Sequence, residues 1–437
     1  MRFNTLQQWL SWQETLHCSE IELGLERIRT VYQRLYSVPF NIPVISIAGT
    51  NGKGSSVAML ASIYSQAGYR VGSYTSPHLL QYNERICINQ QPVSDNAICD
   101  SFERIDKARL ADVSSHISLT YFEFGTLAAF DIFHQAEAAG ELDVVILEVG
   151  LGGRLDAVNL VDADIALITS IGLDHTDWLG DTRDVIGYEK AGIMRAGHPV
   201  VCSDPDLPQS IQAHADKLGA PLYKLGNEFQ YEQGKLDWQW SGKDSIRSAL
   251  PRPALIGEHQ YQNAAGVLMV VELLSSQLPV SQAHVRQGLM EVGVTGRCQI
   301  IPGDQTVILD VAHNPDSVKS LAKTVQEMIK SNLAENKPTR VFALVGMMKD
   351  KALKESLQPM ANLVKHWFIV KAPVERAAEP AELENIVHEL NAESSVSKMD
   401  AATAFSQMQS QANKGDILIV FGSFYTVSAV LPGIISV

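Results

Sequence analysis

No stretch of this sequence holds the ~20 consecutive apolar residues that a helix needs to cross a bilayer. Its opening, MRFNTLQQWLSW, sets polar residues where a signal peptide carries its apolar core. Both absences point to a cytoplasmic protein without membrane contact. Cysteine is scarce: Cys18, Cys87, Cys99, Cys202 and Cys298 are odd in number, scattered, and never at the close spacing of a metal clip or redox pair, so they read as reduced thiols. Basic charge is in deficit, 35 Lys and Arg against 49 Asp and Glu, a net charge of −14 that argues against nucleic acid as a partner. Any phosphate site must therefore be local. Internal repeats and low-complexity tracts are also missing.

What is present is a chain of 437 residues, 46% hydrophobic and 19% charged, enough for two domains with filled cores. From Pro43, short apolar runs alternate with amphipathic segments: VISIA, a helix-like stretch from Ser55 to Ala67, then YRVGSY. That alternation is the rhythm of a parallel sheet. The runs at 143–150 (DVVILEVG) and 163–172 (ADIALITSIG) are apolar on both faces, as central strands are when helices cover each side. A second series follows residue 300, with TVILD (306–310), RVFALVG (340–346), HWFIV (366–370) and DILIVFG (416–422), and predicts a smaller Rossmann-like α/β domain. Turn-favouring Gly293, Thr295 and Gly296 set the hinge in 291–299, giving domains 1–296 and 297–437. Residues 225–251, rich in Gly, Gln, Asp and Trp, predict a short antiparallel excursion.

Directly after the first strand comes Ala48-Gly49-Thr50-Asn51-Gly52-Lys53-Gly54-Ser55-Ser56, opening a helix. Three glycines let backbone N–H groups converge on an anion, the helix terminus adds partial positive charge and Lys53 a full one. A glycine turn with a solvated lysine is the bland alternative, and the strand before and helix after weigh against it. Gly54 stands where a P-loop usually carries the Ser or Thr that binds magnesium, so that hydroxyl must come from elsewhere. Ligands of open parallel sheets gather beyond the strands' carboxyl ends. Ser76, Glu148 and His175 lie at such ends, and a hydroxyl, a carboxylate and a neutral imidazole suit a divalent ion with positions open for water and nucleotide oxygens. Singly, each has an ordinary reading as turn residue, salt-bridge partner or loop histidine; beside a phosphate loop their joint placement favours the metal. Lys190, in GYEKAGIM, is either a solvated helix residue or an amine poised to capture CO2 as a carbamate.

The segments GTNGKGS (49–55), TSPHLL (75–80), LEVGLGGRLDAVN (147–159), TSIGLDHTDWLG (169–180), EKAGIM (189–194), GEHQYQNA (257–264), GRCQ (296–299) and LDVAHNPDS (309–317) together resemble the folylpolyglutamate synthases of the Mur ligase superfamily. IELGLERI (21–28) and LTYFEFGT (119–126) resemble the bifunctional bacterial type that also makes dihydrofolate. The resemblance implies an α/β fold, a P-loop Mur-ligase-type parallel-sheet domain followed by a smaller Rossmann-like domain. It implies an ATP- and Mg2+-dependent ligase adding L-glutamate to dihydropteroate and to reduced folates, acting as a monomer. By position, Asn51, Gly52, Lys53, Gly54 and Ser55 would hold ATP phosphates, Ser76, Glu148 and His175 would hold Mg2+, and Lys190 would be carbamylated. Asn263, Arg297 and Asp310 would contact ATP, and His313 would approach the reacting centre. The pterin and folate pocket would be lined by Leu23, Gly24, Leu25, Thr120, Tyr121, Phe122 and Glu123, with Arg154, Leu155 and Asp156 beside the pteroate carboxylate.

Three rivals stand beside this reading: a peptidoglycan-type Mur ligase, a monofunctional folylpolyglutamate synthase, and a P-loop switch that hydrolyses ATP without making a product. The first needs a nucleotide-sugar domain ahead of the phosphate loop, and the 48 residues before Gly49 are too few for one. A switch would release phosphate without pteroate and glutamate.

Overall fold

The computed structural model describes residues 2–19, 21–112, 116–334 and 339–435. The chain forms two compact units. The first comprises Met1–Ile171, Leu179–Pro253 and Gln262–Val292; the second comprises Gly172–Trp178, Ala254–Tyr261 and Gly293–Val437.

The first unit is built on β1 (Val44–Ala48), β2 (Val71–Tyr74), β3 (Ile86–Ile88), β4 (Gln91–Pro92), β5 (Val144–Glu148), β6 (Ile165–Ile168), β7 (Val200–Cys202) and β8 (Leu222–Lys224). They form one sheet in the order β4-β3-β2-β5-β1-β6-β7-β8, with β3 and β4 antiparallel at one edge and the rest parallel. Every residue of β1, β5 and β6 is buried, as the two-sided apolar runs require. The strands are shorter than those runs. Beyond Ile168, Thr169 and Ser170 leave the sheet because their hydroxyls bond the Asn51 carbonyl, at 2.7 and 3.1 Å.

The helix after β1 spans Lys53–Gln66 and so starts two residues before the expected Ser55, since Gly52, at φ 92°, turns the chain directly into it. The helix Tyr121–Ala138 is opened by a capping box, in which Thr120 accepts from the Glu123 N–H and the Glu123 carboxylate accepts from the Thr120 N–H. Against it the N-terminal helix Leu6–Leu16 buries Trp9, whose ring lies 5.8 Å from Phe102 and 6.4 Å from Phe124. The antiparallel excursion expected in 225–251 is a three-stranded sheet of β9 (Gln230–Gln233), β10 (Trp238–Ser241) and β11 (Ile246–Leu250), ordered β11-β10-β9. Two buried tryptophans pin it: the Trp238 indole donates to the Pro251 carbonyl at 2.7 Å, and the Trp240 indole to the Ala265 carbonyl at 3.1 Å.

The second unit holds β12 (Gln299–Ile301), β13 (Thr306–Leu309), β14 (Val341–Val345), β15 (His366–Ile369), β16 (Ser395–Lys398) and β17 (Ile417–Phe421), ordered β12-β13-β17-β14-β15-β16. Only β12 is antiparallel. The apolar runs had marked β13, β14, β15 and β17, while of the edge strands β12, with three residues, is too short to stand out and β16, Ser-Val-Ser-Lys, too polar. Among the described residues no helix is long and apolar enough to cross a membrane, and all five cysteines are free.

Two helices of the first unit pack closely where Gln282–Glu291 crosses Lys53–Gln66. A Cβ on Gly288 would lie 2.7 Å from the Ile63 Cα, and the Ser62 hydroxyl donates to the Gly288 carbonyl at 2.9 Å. With backbone on the far side, the contact cannot yield by side-chain rotation. Gly288→Ala should therefore destabilise the protein by about 1–3 kcal/mol, read as a lower urea midpoint at unchanged slope.

Candidate active site

In the first unit the carboxyl ends of β1, β2, β5 and β6 share one edge of the sheet. The loop after β1 is moulded against the end of β6. Thr50 N–H donates to the Ser170 carbonyl at 2.7 Å and Asn51 N–H to the Ser170 hydroxyl at 3.3 Å. Gly49, at φ 154°, admits no side chain, because its Cβ would lie 1.8 Å from the Thr169 hydroxyl. At Gly52 a Cβ would meet the Asn263 carboxamide at 2.4 Å, so Asn263, from the helix His259–Leu273, comes against the loop. Lys53 folds over its own loop, its ammonium 3.0 Å from the Gly49 carbonyl oxygen and 3.4 Å from that of Thr50. Ser55 is buried in the first turn.

Ser76 and Glu148 sit at adjacent strand ends, and the buried Glu148 carboxylate accepts the Ser76 N–H at 3.3 Å. A hydroxyl and a carboxylate at the mouth of an anion-binding loop fit a hard cation that draws its other ligands from phosphate oxygens and water. Among the described residues no three His, Cys, Asp or Glu side chains cluster as a closed metal cage. His175 belongs to the second unit.

The two segments matched to a pterin pocket meet in the first unit. Gly24 N–H bonds the Leu155 carbonyl at 3.4 Å, drawing Leu23–Leu25 to the loop that carries Arg154 and Asp156. Arg27 pairs with Glu123 at 2.9 Å and so ties 21–28 to 119–126. The Phe122 ring covers Gly150, where a Cβ would lie 2.6 Å from the ring edge. Tyr121 stands edge-on to Tyr82 at 5.8 Å, and the Arg85 guanidinium lies over both rings. The same loop packs on the end of the Lys190 helix, Arg183–Ala191. Arg154 N–H donates to the Glu189 carbonyl at 2.8 Å and its guanidinium pairs with the Glu189 carboxylate at 2.9 Å. Lys190 is buried. Burial pushes the Asp156 carboxyl up to about 6, against the pull of backbone N–H groups, among them those of Leu151 and Val158, and the charge of Lys53.

In the second unit Arg297 lies over the Phe424 ring at 5.1 Å and beside Asp310. Burial raises the Asp310 carboxyl to about 6, although Arg297 and the N–H groups of Ala312 and Cys298 favour its anion. His313 is 3.4 Å from Asp174, whose carboxylate also takes Lys351 at 2.6 Å and Asn314 at 3.1 Å. The Lys351 ammonium is 3.3 Å from His175 Nε2. Burial alone would raise Asp174, but the hydrogen bond and charge of His313, with Lys351 and His175, outweigh it and hold the carboxyl far below the usual range. Sequence reasoning did not single out Arg27, Arg85, Asp174 or Lys351. Asp174 stood inside the quoted LDHTDWLG, so adjacency to His175 was the available signal; Lys351, 177 positions from Asp174, had none.

Residues 296–424 match the family model described as "Mur ligase, glutamate ligase domain", and with the glycine loop on the parallel sheet of the first unit they place the chain in the Mur ligase class. An Escherichia coli (strain K12) protein named dihydrofolate synthase/folylpolyglutamate synthase is 41% identical over 98% of this chain and 94% of its own. A structure of E. coli FolC in complex with DHPP and ADP superposes with a TM-score of 0.90 at 40% identity, covering 99% of this chain and 98% of that one. A bifunctional folylpolyglutamate synthase/dihydrofolate synthase from Yersinia pestis, complexed with AMPPNP and Mn ion, gives 0.87 at 41% identity and the same coverage. The chain belongs to the dihydrofolate synthase/folylpolyglutamate synthase family.

The raised Asp156 carboxyl has a pH signature. Its folded form holds the proton more tightly than an unfolded chain does, so its contribution to stability is full below about pH 4 and is lost as the pH rises through about 6. Asp156→Asn cannot titrate there. Its stability deficit against the native protein should shrink between about pH 4.5 and about pH 7, read from urea midpoints at the two values.

Proposed function

We propose that the chain is an ATP- and Mg2+-dependent ligase that adds L-glutamate to dihydropteroate, forming dihydrofolate, and to the glutamyl tails of reduced folates. One observation carries the reading: the Gly49–Ser55 loop, with Glu148 and Ser76 at neighbouring strand ends, lies in the same unit as the pocket segments joined by Arg27 and Glu123. The relatives named above, two of them solved with ADP or AMPPNP, support it.

A carboxylate does not acylate an amine at neutral pH because oxide is a poor leaving group. The substrate carboxylate is first phosphorylated to an acyl phosphate, and the glutamate amino group then displaces phosphate. This chain's part is to hold and neutralise. The 49–55 loop cradles the phosphates, and Lys53 swings from its own carbonyls to the transferring group. Asn263, Arg297 and Asp310 hold the nucleotide. Ser76, Glu148 and His175 would be the protein ligands of magnesium, which when bound would spread the charge of the phosphate oxygens. Lys190, as a carbamate, adds an anion oriented toward that site, and His313 stands by the reacting centre.

Leu23, Gly24, Leu25, Thr120, Tyr121, Phe122 and Glu123 wall the pterin, whose flat ring suits the aromatic face of Phe122. Arg154, Leu155 and Asp156 border the pteroate carboxylate. Residues 1–296 would supply the ATP- and pterin-binding domain and 297–437 the ligase domain, with Gly172–Trp178, Ala254–Tyr261 and residues 293–296 lying in the second compact unit. The protein works as a cytoplasmic monomer without nucleic acid, in keeping with its net charge of −14.

Incubation with ATP, Mg2+, L-glutamate and either dihydropteroate or tetrahydrofolate, with products read by mass, should give a one-glutamyl increment on each acceptor. ADP release without either product would overturn the reading. Lys53→Ala should lower turnover by about a hundredfold or more with the fold intact, because a partly exposed loop lysine has little packing to lose. Glu148→Gln should shift the magnesium titration to higher concentration, since an amide is a poor ligand for a hard cation; an unmoved titration removes Glu148 from the metal.

A further inference from the structure

Resting on the reading of His175 as a metal ligand and deepening it, we infer that Arg183 and Asp204 form a brace that positions the segment carrying Asp174 and His175. The chain leaves the first unit after Ile171, gives Gly172–Trp178 to the second, and returns at Leu179. Ile171, the last residue before departure, has both backbone groups taken. Its N–H donates to Asp204 Oδ2 at 2.6 Å, and its carbonyl accepts from Arg183 Nε at 2.9 Å. Arg183 and Asp204 are themselves paired at 3.0 Å, so the two side chains close a ring on a single residue. The ring is anchored a second time, since Arg183 donates to the Asp206 carbonyl at 2.6 Å and pairs with the Asp206 carboxylate, while Asp204 accepts the Asp206 N–H at 2.9 Å. Ile171 and Asp204 are buried.

His175, four positions on, sits at φ 51°, a left-handed conformation unfavourable for a residue with a side chain. Such a backbone persists only where its surroundings over-determine it. Within the second unit Asp174 is held by Lys351 and Asn314. Within the first, the brace fixes the origin of the segment. Only three residues separate Ile171 from His175, so a displaced root reaches the imidazole with little slack. The planar guanidinium serves two carbonyls and two carboxylates at once, four acceptors against the three donors of an ammonium. Neither Arg183 nor Asp204 has any other part in the proposed chemistry, and they act as positioning residues.

The full-length variants Arg183→Ala, Asp204→Asn and Arg183→Lys provide the test. Hydrogen exchange of peptides covering 169–179 should be faster in all three, with Arg183→Lys intermediate, while a peptide over β1 exchanges at the native rate and reports an intact fold. Manganese binding to the ADP-bound protein, read by electron paramagnetic resonance, should weaken by about tenfold or more in Arg183→Ala and Asp204→Asn. Native exchange in 169–179 together with manganese affinity within about twofold of native in both variants would overturn the brace. If Arg183→Ala does not fold, native exchange in Arg183→Lys overturns it equally. His175→Ala is the control for the reading beneath it: unchanged manganese affinity there would remove His175 from the metal, and the exchange measurement would then judge the brace alone.

Discussion

The close approach of β1 and β6 at their carboxyl ends governs what the first unit can do. Gly49 must lack a side chain because the Thr169 hydroxyl occupies the place of its Cβ, and that hydroxyl is there because it bonds the Asn51 carbonyl. Ser170 bonds the loop through both its carbonyl and its hydroxyl. With these groups committed to β6, the loop is tied to the sheet edge by its own hydrogen bonds, so part of the cost of ordering it is met during folding. Gly52 then delivers the chain into Lys53–Gln66, setting the partial positive charge of a helix N-terminus behind the loop.

Around that edge the first unit sets its polar groups in unequal environments. Glu148 and Asp156 are both buried carboxylates, one receiving the Ser76 N–H and the other several backbone N–H groups and the field of Lys53. Burial still wins at Asp156, raising it toward 6. In the second unit the balance at Asp174 falls the other way, because His313, Lys351 and His175 act together on one buried carboxylate. A carboxylate so held keeps its charge at any working pH and can orient its neighbours. The same desolvation thus has opposite outcomes according to how many cations share the cavity.

The pocket segments depend on long-range pairing. Arg27 and Glu123, 96 positions apart, hold two motifs together, and Glu123 meanwhile closes the capping box of its own helix. Phe122 over Gly150 brings the aromatic wall to the loop that begins at the end of β5. The segments proposed to recognise the pterin and the proposed metal ligand Glu148 are therefore joined through the residues leaving one strand.

Sequence by itself determined the features whose causes are local. The phosphate loop was legible because strand, glycines, lysine and helix are contiguous, and the central strands because burial on both faces forces unbroken apolar runs. The antiparallel excursion in 225–251 was legible for the same reason, in its turn-rich composition. Tertiary structure alone decided where those runs end, since Thr169 and Ser170 are turned out of β6 by a loop 119 positions away. It also decided that the helix begins at Lys53, which depends on a left-handed Gly52 packed against Asn263. Arg85 and Lys351 carry no mark in their own neighbourhoods, and Arg27 only its place inside IELGLERI, because an ion pair or a cation over a ring is defined by a partner and not by a pattern. Such contacts cost nothing to omit from a local reading and exist only once the sheet has brought distant segments to one edge.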